Sequence, residues 1–177
     1  IVANGPSSIV LKKETFQLDL NDRACEYRDY FRKNKIFETF TKTRTLNMEI
    51  FTDAVKSPKG CFILVPHHGN WEFMNAWVSS HCSPVIMYKP SKNKAMDLFV
   101  RQARSRLNST LVPTDESGVK AVFKALKSGG VSIILPDHTP HDNGGMFAPF
   151  FGTSVWTGIL TSKLIQKTQC EVIIDRK

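Results

Sequence analysis

The sequence has no apolar run able to cross a bilayer. Runs such as Phe62 to Pro66 and Ile133 to Pro136 fall far short of the roughly 20 residues a membrane-spanning helix needs. Cysteine is sparse. Cys25, Cys61, Cys82 and Cys170 form no CxxC pair and two of them sit in or beside strand-like apolar runs, so they read as free thiols of a reducing compartment and not as a disulfide framework. No internal repeat or low-complexity tract occurs. Acidic residues are in deficit, 16 against 24 basic, which leaves a net charge of +8 and a pI near 9.4. The excess biases the partners toward something anionic: nucleic acid, phosphorylated metabolites or an acidic membrane surface. What remains is an ordinary globular composition, 177 residues with 41% hydrophobic and 23% charged side chains. That supports one packed domain and excludes disorder, collagen and coiled coil.

The charge is unevenly placed. Residues 61 to 88 carry only Glu72, whereas Lys89 to Lys127 carry nine basic residues against three acidic ones. From residue 61 onward, short continuous apolar runs alternate with helical patterns. The runs Cys61 to Pro66, Pro84 to Tyr88, Thr110 to Pro113, Val131 to Pro136 and Cys170 to Ile174 have the length and content of strands buried on both faces. Between them, residues 92 to 107 align Met96, Phe99, Val100, Ala103 and Leu107, and residues 116 to 128 align Val119, Val122, Phe123 and Leu126, at helical spacing. Gly129 and Gly130 then stop the second helix. The expected fold is α/β, a mainly parallel sheet of about five strands covered by helices, with ligands at the carboxyl ends of the strands. Residues 22 to 57 predict a helical lead-in, from Tyr27, Tyr30 and Phe31 to Leu46, Ile50, Phe51, Ala54 and Val55. Residues 1 to 21 carry no clear pattern, and the α/β core runs from 61 to 177.

The chemistry concentrates where the first core strand ends, at Pro66-His67-His68-Gly69-Asn70-Trp71-Glu72-Phe73. Helical side chains lean toward the helix N-terminus. A carboxylate at Glu72, in the first turn, can therefore reach the His67 imidazole, fix its tautomer and leave the other ring nitrogen as a base. No G-x-S-x-G elbow is present, and Ser79, Ser80 and Cys82 fall at the far end of the helix, so the pair lacks a protein nucleophile. The simplest inference is that His67 deprotonates a hydroxyl of the substrate. The strand-to-helix turn at Gly69 and Asn70 adds free N–H groups suited to an anion.

His67-x4-Glu72 resembles the H-x4-D/E signature of the glycerolipid and lysophospholipid acyltransferase superfamily. HGNWE resembles, more narrowly, the late acyltransferases of lipid A biosynthesis, the lauroyl and myristoyl transferases of Gram-negative bacteria. The similarity continues through Tyr88-Lys89-Pro90, Arg104-Ser105-Arg106, the LKSGG of Leu126 to Gly130, Leu135-Pro136-Asp137, and Ala148-Pro149-Phe150-Phe151-Gly152 with Thr157. It departs at His68, where the family usually has Phe, and at His138, where the pattern reads Asp-Gln. The resemblance implies a lysophospholipid acyltransferase-like fold over 22 to 177, shortened at both ends and without the family's membrane anchor. It also implies acyl transfer without a cofactor or metal, from a thioester of acyl carrier protein or coenzyme A to a hydroxyl of a lipid A precursor or related glycolipid. In that scheme His67 is the general base and Glu72 orients it. Arg104 serves the oxyanion with Gly69 and Asn70, and Asp137 and Lys89 meet substrate. Phe147, Phe150, Phe151 and Trp156, in an aromatic loop, line an acyl groove or touch the bilayer. The implied place is the cytoplasmic face of a bacterial inner membrane. The partners are acyl carrier protein, a phosphorylated glycolipid and the anionic membrane surface, with no nucleic acid.

Two other readings use the same residues. Asp137, His138, His141 and Asp142, with His67, His68 and Glu72 from a neighbouring strand, have the donor types of a metal-dependent hydrolase. A non-catalytic binder of anionic lipid or nucleic acid draws on the +8 charge, but lacks a recognisable nucleic-acid motif.

Overall fold

A computed structural model of the chain describes residues 15–19, 44–67, 71–104, 108–141 and 143–175. For Thr15–Asp19, Arg44, Glu72, Met96, Phe99, Val100, Ala103 and Asp175 it describes the backbone alone. The strands are β1 (Thr15–Asp19), β2 (Arg44–Leu46), β3 (Cys61–Leu64), β4 (Val85–Tyr88), β5 (Thr110–Pro113), β6 (Val131–Ile134), β7 (Gly145–Phe150), β8 (Thr153–Gly158) and β9 (Glu171–Asp175). The helices are α1 (Met48–Lys56), α2 (Trp71–His81), α3 (Lys94–Arg104), α4 (Glu116–Lys127) and α5 (Leu160–Thr168). Seven strands form one sheet in the order β2-β1-β9-β3-β6-β4-β5, parallel throughout except for β2, while β7 and β8 form a separate antiparallel hairpin.

The five expected core strands are all present, as β3, β4, β5, β6 and β9. Central β3 shows why a continuous apolar run makes such a strand. Cys61, Ile63 and Val65 face one layer with α1 and α2, where Phe51, Phe73, Met74, Trp77 and Val78 pack. Phe62 and Leu64 face the other, with Val122 and Leu126 of α4 and Leu164 and Ile165 of α5. Both faces of β3 are thus removed from water, which accounts for the absence of alternation. Inside the sheet the buried Ser132 hydroxyl donates to the Val85 carbonyl at 2.7 Å, so its burial leaves no donor unmet. Gly60, at φ +79°, lets the chain enter β3 beside α4, because a Cβ there would stand 2.2 Å from the Leu126 carbonyl oxygen.

To the five expected core strands the sheet adds β1, from the stretch without pattern, and β2, from the expected helical lead-in. Three expectations need correction. Of that lead-in, the described part holds β2 and only one helix, α1; residues 22 to 43 lie outside the described residues. β5 is not buried on both faces but is exposed at both ends, because it is the sheet's edge. The aromatic loop is strand β7 of a hairpin, with Pro149 tolerated because each strand of a two-stranded ribbon has an unpaired edge.

The topology also fixes where ligand chemistry belongs. The chain leaves β3 through α2, on one face, toward β4; it leaves β6 through α5, on the opposite face, back to β9. β3 and β6 are adjacent, so the crevice beyond their carboxyl ends is the switch point of the sheet.

Candidate active site

β3 and β6 run in register, Cys61 beside Val131 and Leu64 beside Ile134, and the pairing extends one step further as the Val65 N–H donates to the Ile134 carbonyl at 2.9 Å. His67 and Asp137 each lie three residues past those matched ends. Equal overhangs from paired strands bring them together. The Asp137 carboxylate accepts from the His67 backbone N–H at 2.7 Å through one oxygen, and pairs with the His67 ring Nδ1 at 2.8 Å through the other. A carboxylate only accepts, so the pairing assigns the proton to Nδ1 and leaves Nε2 as the free base. Partial burial alone would raise the Asp137 pKa. The hydrogen bonds from the His67 ring and N–H outweigh it and hold the carboxyl below the usual value.

Aromatic groups surround the imidazole. The His138 ring lies edge-on at 4.3 Å and the Trp71 ring, at the start of α2, at 5.7 Å. Trp71 in turn is one of two aromatic plates around Arg104. Its ring centroid is 5.8 Å from the guanidinium carbon, and that of Tyr88, the last residue of β4, is 5.1 Å away. Arg104 ends α3 and is only 8% exposed, so it is not part of a solvated basic face. Tyr88 donates its hydroxyl to Asp97, which also accepts from the Ser91 N–H at 2.9 Å. Those two donors hold the Asp97 carboxyl below its ordinary value, while burial and Asp97 raise the Tyr88 phenol. A line of contacts therefore runs from Asp137 through His67 and Trp71 to Arg104, Tyr88 and Asp97, across the carboxyl ends of three neighbouring strands.

The remaining expected site residues fall as follows. Glu72 lies in the first turn of α2, with its side chain outside the described residues, as are His68, Gly69, Asn70 and Asp142. Lys89 is exposed just past β4. Phe147, Phe150, Phe151 and Trp156 belong to the β7–β8 hairpin, whose base packs on the loop after Asp137: Gly145 abuts Pro140 and Trp156. Among the described residues no group of three or more His, Cys, Asp or Glu side chains could hold a metal ion, although His67, Asp137, His138 and His141 are all described. The roles of Trp71, Tyr88 and Asp97 were missed. Trp71 lies within the HHGNWE motif and Tyr88 within Tyr88-Lys89-Pro90, so the motifs held them without revealing that they bracket Arg104.

A parallel α/β sheet with a histidine–carboxylate pair at its switch point, and a buried arginine between two aromatic rings nearby, is an arrangement chemically able to take up a proton and to face negative charge. The bacterial lipid A biosynthesis acyltransferase family matches residues 27–174, and the chain belongs to that family. It is 26% identical over 109 residues to the lipid A biosynthesis lauroyltransferase of Escherichia coli strain K12, an alignment covering 62% of this chain and 35% of that protein. The chain thus spans about a third of the length of the curated relative it matches. No helix among the described residues is long and apolar enough to cross a membrane.

Proposed function

We propose that the protein transfers a fatty acyl group from a thioester of acyl carrier protein or coenzyme A to a hydroxyl of a phosphorylated glycolipid of the lipid A precursor kind. The observation that carries this reading is the Asp137–His67 pair, within a chain of this family, with Nε2 left free. In the reaction, His67 Nε2 removes the proton from the acceptor hydroxyl as its oxygen attacks the thioester carbonyl. The tetrahedral oxyanion forms beside Arg104, helped by N–H groups near Gly69 and Asn70. Collapse breaks the carbon–sulfur bond, and the proton on His67 passes to the departing thiolate, which restores the base. Asp137 holds the reactive tautomer through Nδ1, and Glu72, the carboxylate of the H-x4-E motif, adds negative charge in the first turn of α2 that favours the imidazolium formed on proton transfer. A positioned base of this kind contributes about 10² to 10⁴ in rate, and a single oxyanion donor about 10² to 10³. No step requires a metal or a protein nucleophile.

The basic run after β4, with Lys89, Lys92 and Lys94 exposed, suits the phosphates of the acceptor and the acidic surface of a carrier protein. The working location we assign is the cytoplasmic face of a bacterial inner membrane, where both substrates meet. The test is to incubate the protein with acyl carrier protein thioesters, and separately with coenzyme A thioesters, in the presence of a lipid A precursor in detergent. Product masses then report the reaction and the donor. An acceptor heavier by one acyl group supports the reading; release of free fatty acid with no acylated acceptor overturns it in favour of a hydrolase.

A further inference from the structure

From Asn143 to Ser162 the chain carries no charged side chain, and most of that stretch is the β7–β8 hairpin. The hairpin keeps large apolar groups in water: Met146 is 58% exposed, Phe147 66%, Phe150 63% and Phe151 94%. Its register puts these groups on both of its faces. Phe147 stands opposite Trp156 on one, with ring centroids 5.1 Å apart, whereas Met146, Phe150 and Val155 share the other. At the tip, Phe151 and Gly152 both have positive φ, 47° and 80°. Such turns favour Asn-Gly, and here an aromatic residue occupies the first position, points into solvent and meets the Phe150 ring edge-on. Two strands by themselves are marginally stable in water, and contiguous exposed apolar surface marks a contact site.

The disposition selects the occupant. Apolar groups exposed on both faces and at the tip suit an occupant that surrounds the ribbon, as the apolar zone of a bilayer does. The hairpin also projects from the carboxyl end of the sheet, the end that carries the exposed cations Lys89, Lys92 and Lys94, which complement an anionic lipid surface. We propose that the β7–β8 hairpin is a finger that inserts Phe150 and Phe151 into the interfacial zone of an anionic bilayer. The unpaired outer edges of both strands limit its depth to the boundary between headgroups and acyl chains, because lone backbone groups are costly in hydrocarbon. Its base touches the segment after Asp137, where Gly145 abuts Pro140, two residues past His138, whose ring meets the His67 ring edge-on. Insertion therefore seats the His67 site at the lipid surface. That last step rests on the acyltransferase reading; the insertion itself does not.

The test places a nitrobenzoxadiazole probe at the tip through Phe151→Cys, with the wild-type chain labelled in parallel to measure the native thiols. Vesicles of phosphatidylcholine and phosphatidylglycerol are then added. Insertion predicts a blue-shifted, brighter probe, quenched by lipids carrying a shallow spin label. It also predicts that Phe150→Ser/Phe151→Ser lowers vesicle affinity at least about tenfold, with circular dichroism unchanged. A probe that stays water-like on vesicle-bound protein overturns the proposal, as does a shift that follows protein concentration without lipid, which signals a second copy. Acyl transfer by the wild type in detergent, without vesicles, is read separately, so failure of the finger and failure of the reaction are told apart.

Discussion

Replacing Asp137 by Asn changes one oxygen to an amide nitrogen and tests the assigned proton directly. Both Asp137 oxygens accept from His67, at 2.7 Å from the backbone N–H and 2.8 Å from Nδ1. Asn has one acceptor and one donor group. Its oxygen must face the backbone N–H, which has no alternative protonation, and its NH2 then faces Nδ1. The ring is forced to accept at Nδ1 and to carry its proton on Nε2, so the base is lost. The expected fall in kcat is the full worth of a general base, about 10² to 10⁴, with little change in KM. Asp137→Ala removes the carboxylate without imposing the wrong tautomer, so it is expected to be no worse than Asp137→Asn. Initial rates of acyl transfer, measured by product mass, give the ranking. An Asp137→Asn enzyme within about threefold of wild type would refute the tautomer argument, as would an alanine variant much slower than the asparagine one. The same pair predicts a pH effect on stability. The folded carboxyl titrates below its unfolded value of roughly 3.9, so its contribution is present above about pH 4 and is lost as pH falls through the depressed folded value. The stability gap between wild type and Asp137→Asn, from denaturant titrations, is therefore constant at neutral pH and closes in acid.

Three other outcomes follow from particular contacts. Arg104→Ala is expected to lower kcat by about 10² to 10³, and Arg104→Lys to recover only part of it, because an ammonium keeps the charge but not the guanidinium's contact with both the Trp71 and Tyr88 rings. Full activity in the lysine variant would show that this contact contributes nothing. Gly118→Ala, in the first turn of α4, should destabilise by more than about 1 kcal/mol in urea unfolding despite alanine's helix preference, since its Cβ would stand 1.7 Å from the Pro113 carbonyl oxygen. At pH 8, iodoacetamide should spare Cys61 and modify Cys82 only slowly until the protein is unfolded: burial raises the Cys61 thiol above its ordinary value and pushes Cys82 up to about 11. Rapid labelling of Cys61 in the folded chain would contradict its position in the core.

The parts of this molecule visible in the sequence are those decided locally. Cys61 to Leu64 is apolar without interruption and Val131 to Ile134 is interrupted only by Ser132, because both faces of each strand are covered, and that composition is readable with no knowledge of neighbours. Strand order is not local. Thr110 to Pro113 has the same apolar character as a central strand, yet forms the edge, and only the pairing of β4 with β6 on its other side determines that. Asp137 was readable as a site residue but not as the partner of His67, because their meeting depends on β3 lying beside β6 in a register with equal overhangs. The hairpin was hidden for a different reason: Phe147, Pro149, Phe150 and Phe151 break strand alternation, since apolar groups stand on both of its faces. Arg104 was readable as a site residue, but its burial between the Trp71 and Tyr88 rings depends on how three successive elements, α2, β4 and α3, fold against one another.

The central claim is that His67 activates an acceptor hydroxyl directly. It is tested by single-turnover acyl transfer with wild type and His67→Ala side by side, weighing both the glycolipid and the protein at each time point. The account predicts acylated glycolipid from the wild type, no acyl group on the chain at any time, and transfer slowed by about 10² or more in His67→Ala. An acyl adduct that forms on the protein before product appears, or equal transfer by the two proteins, would contradict it.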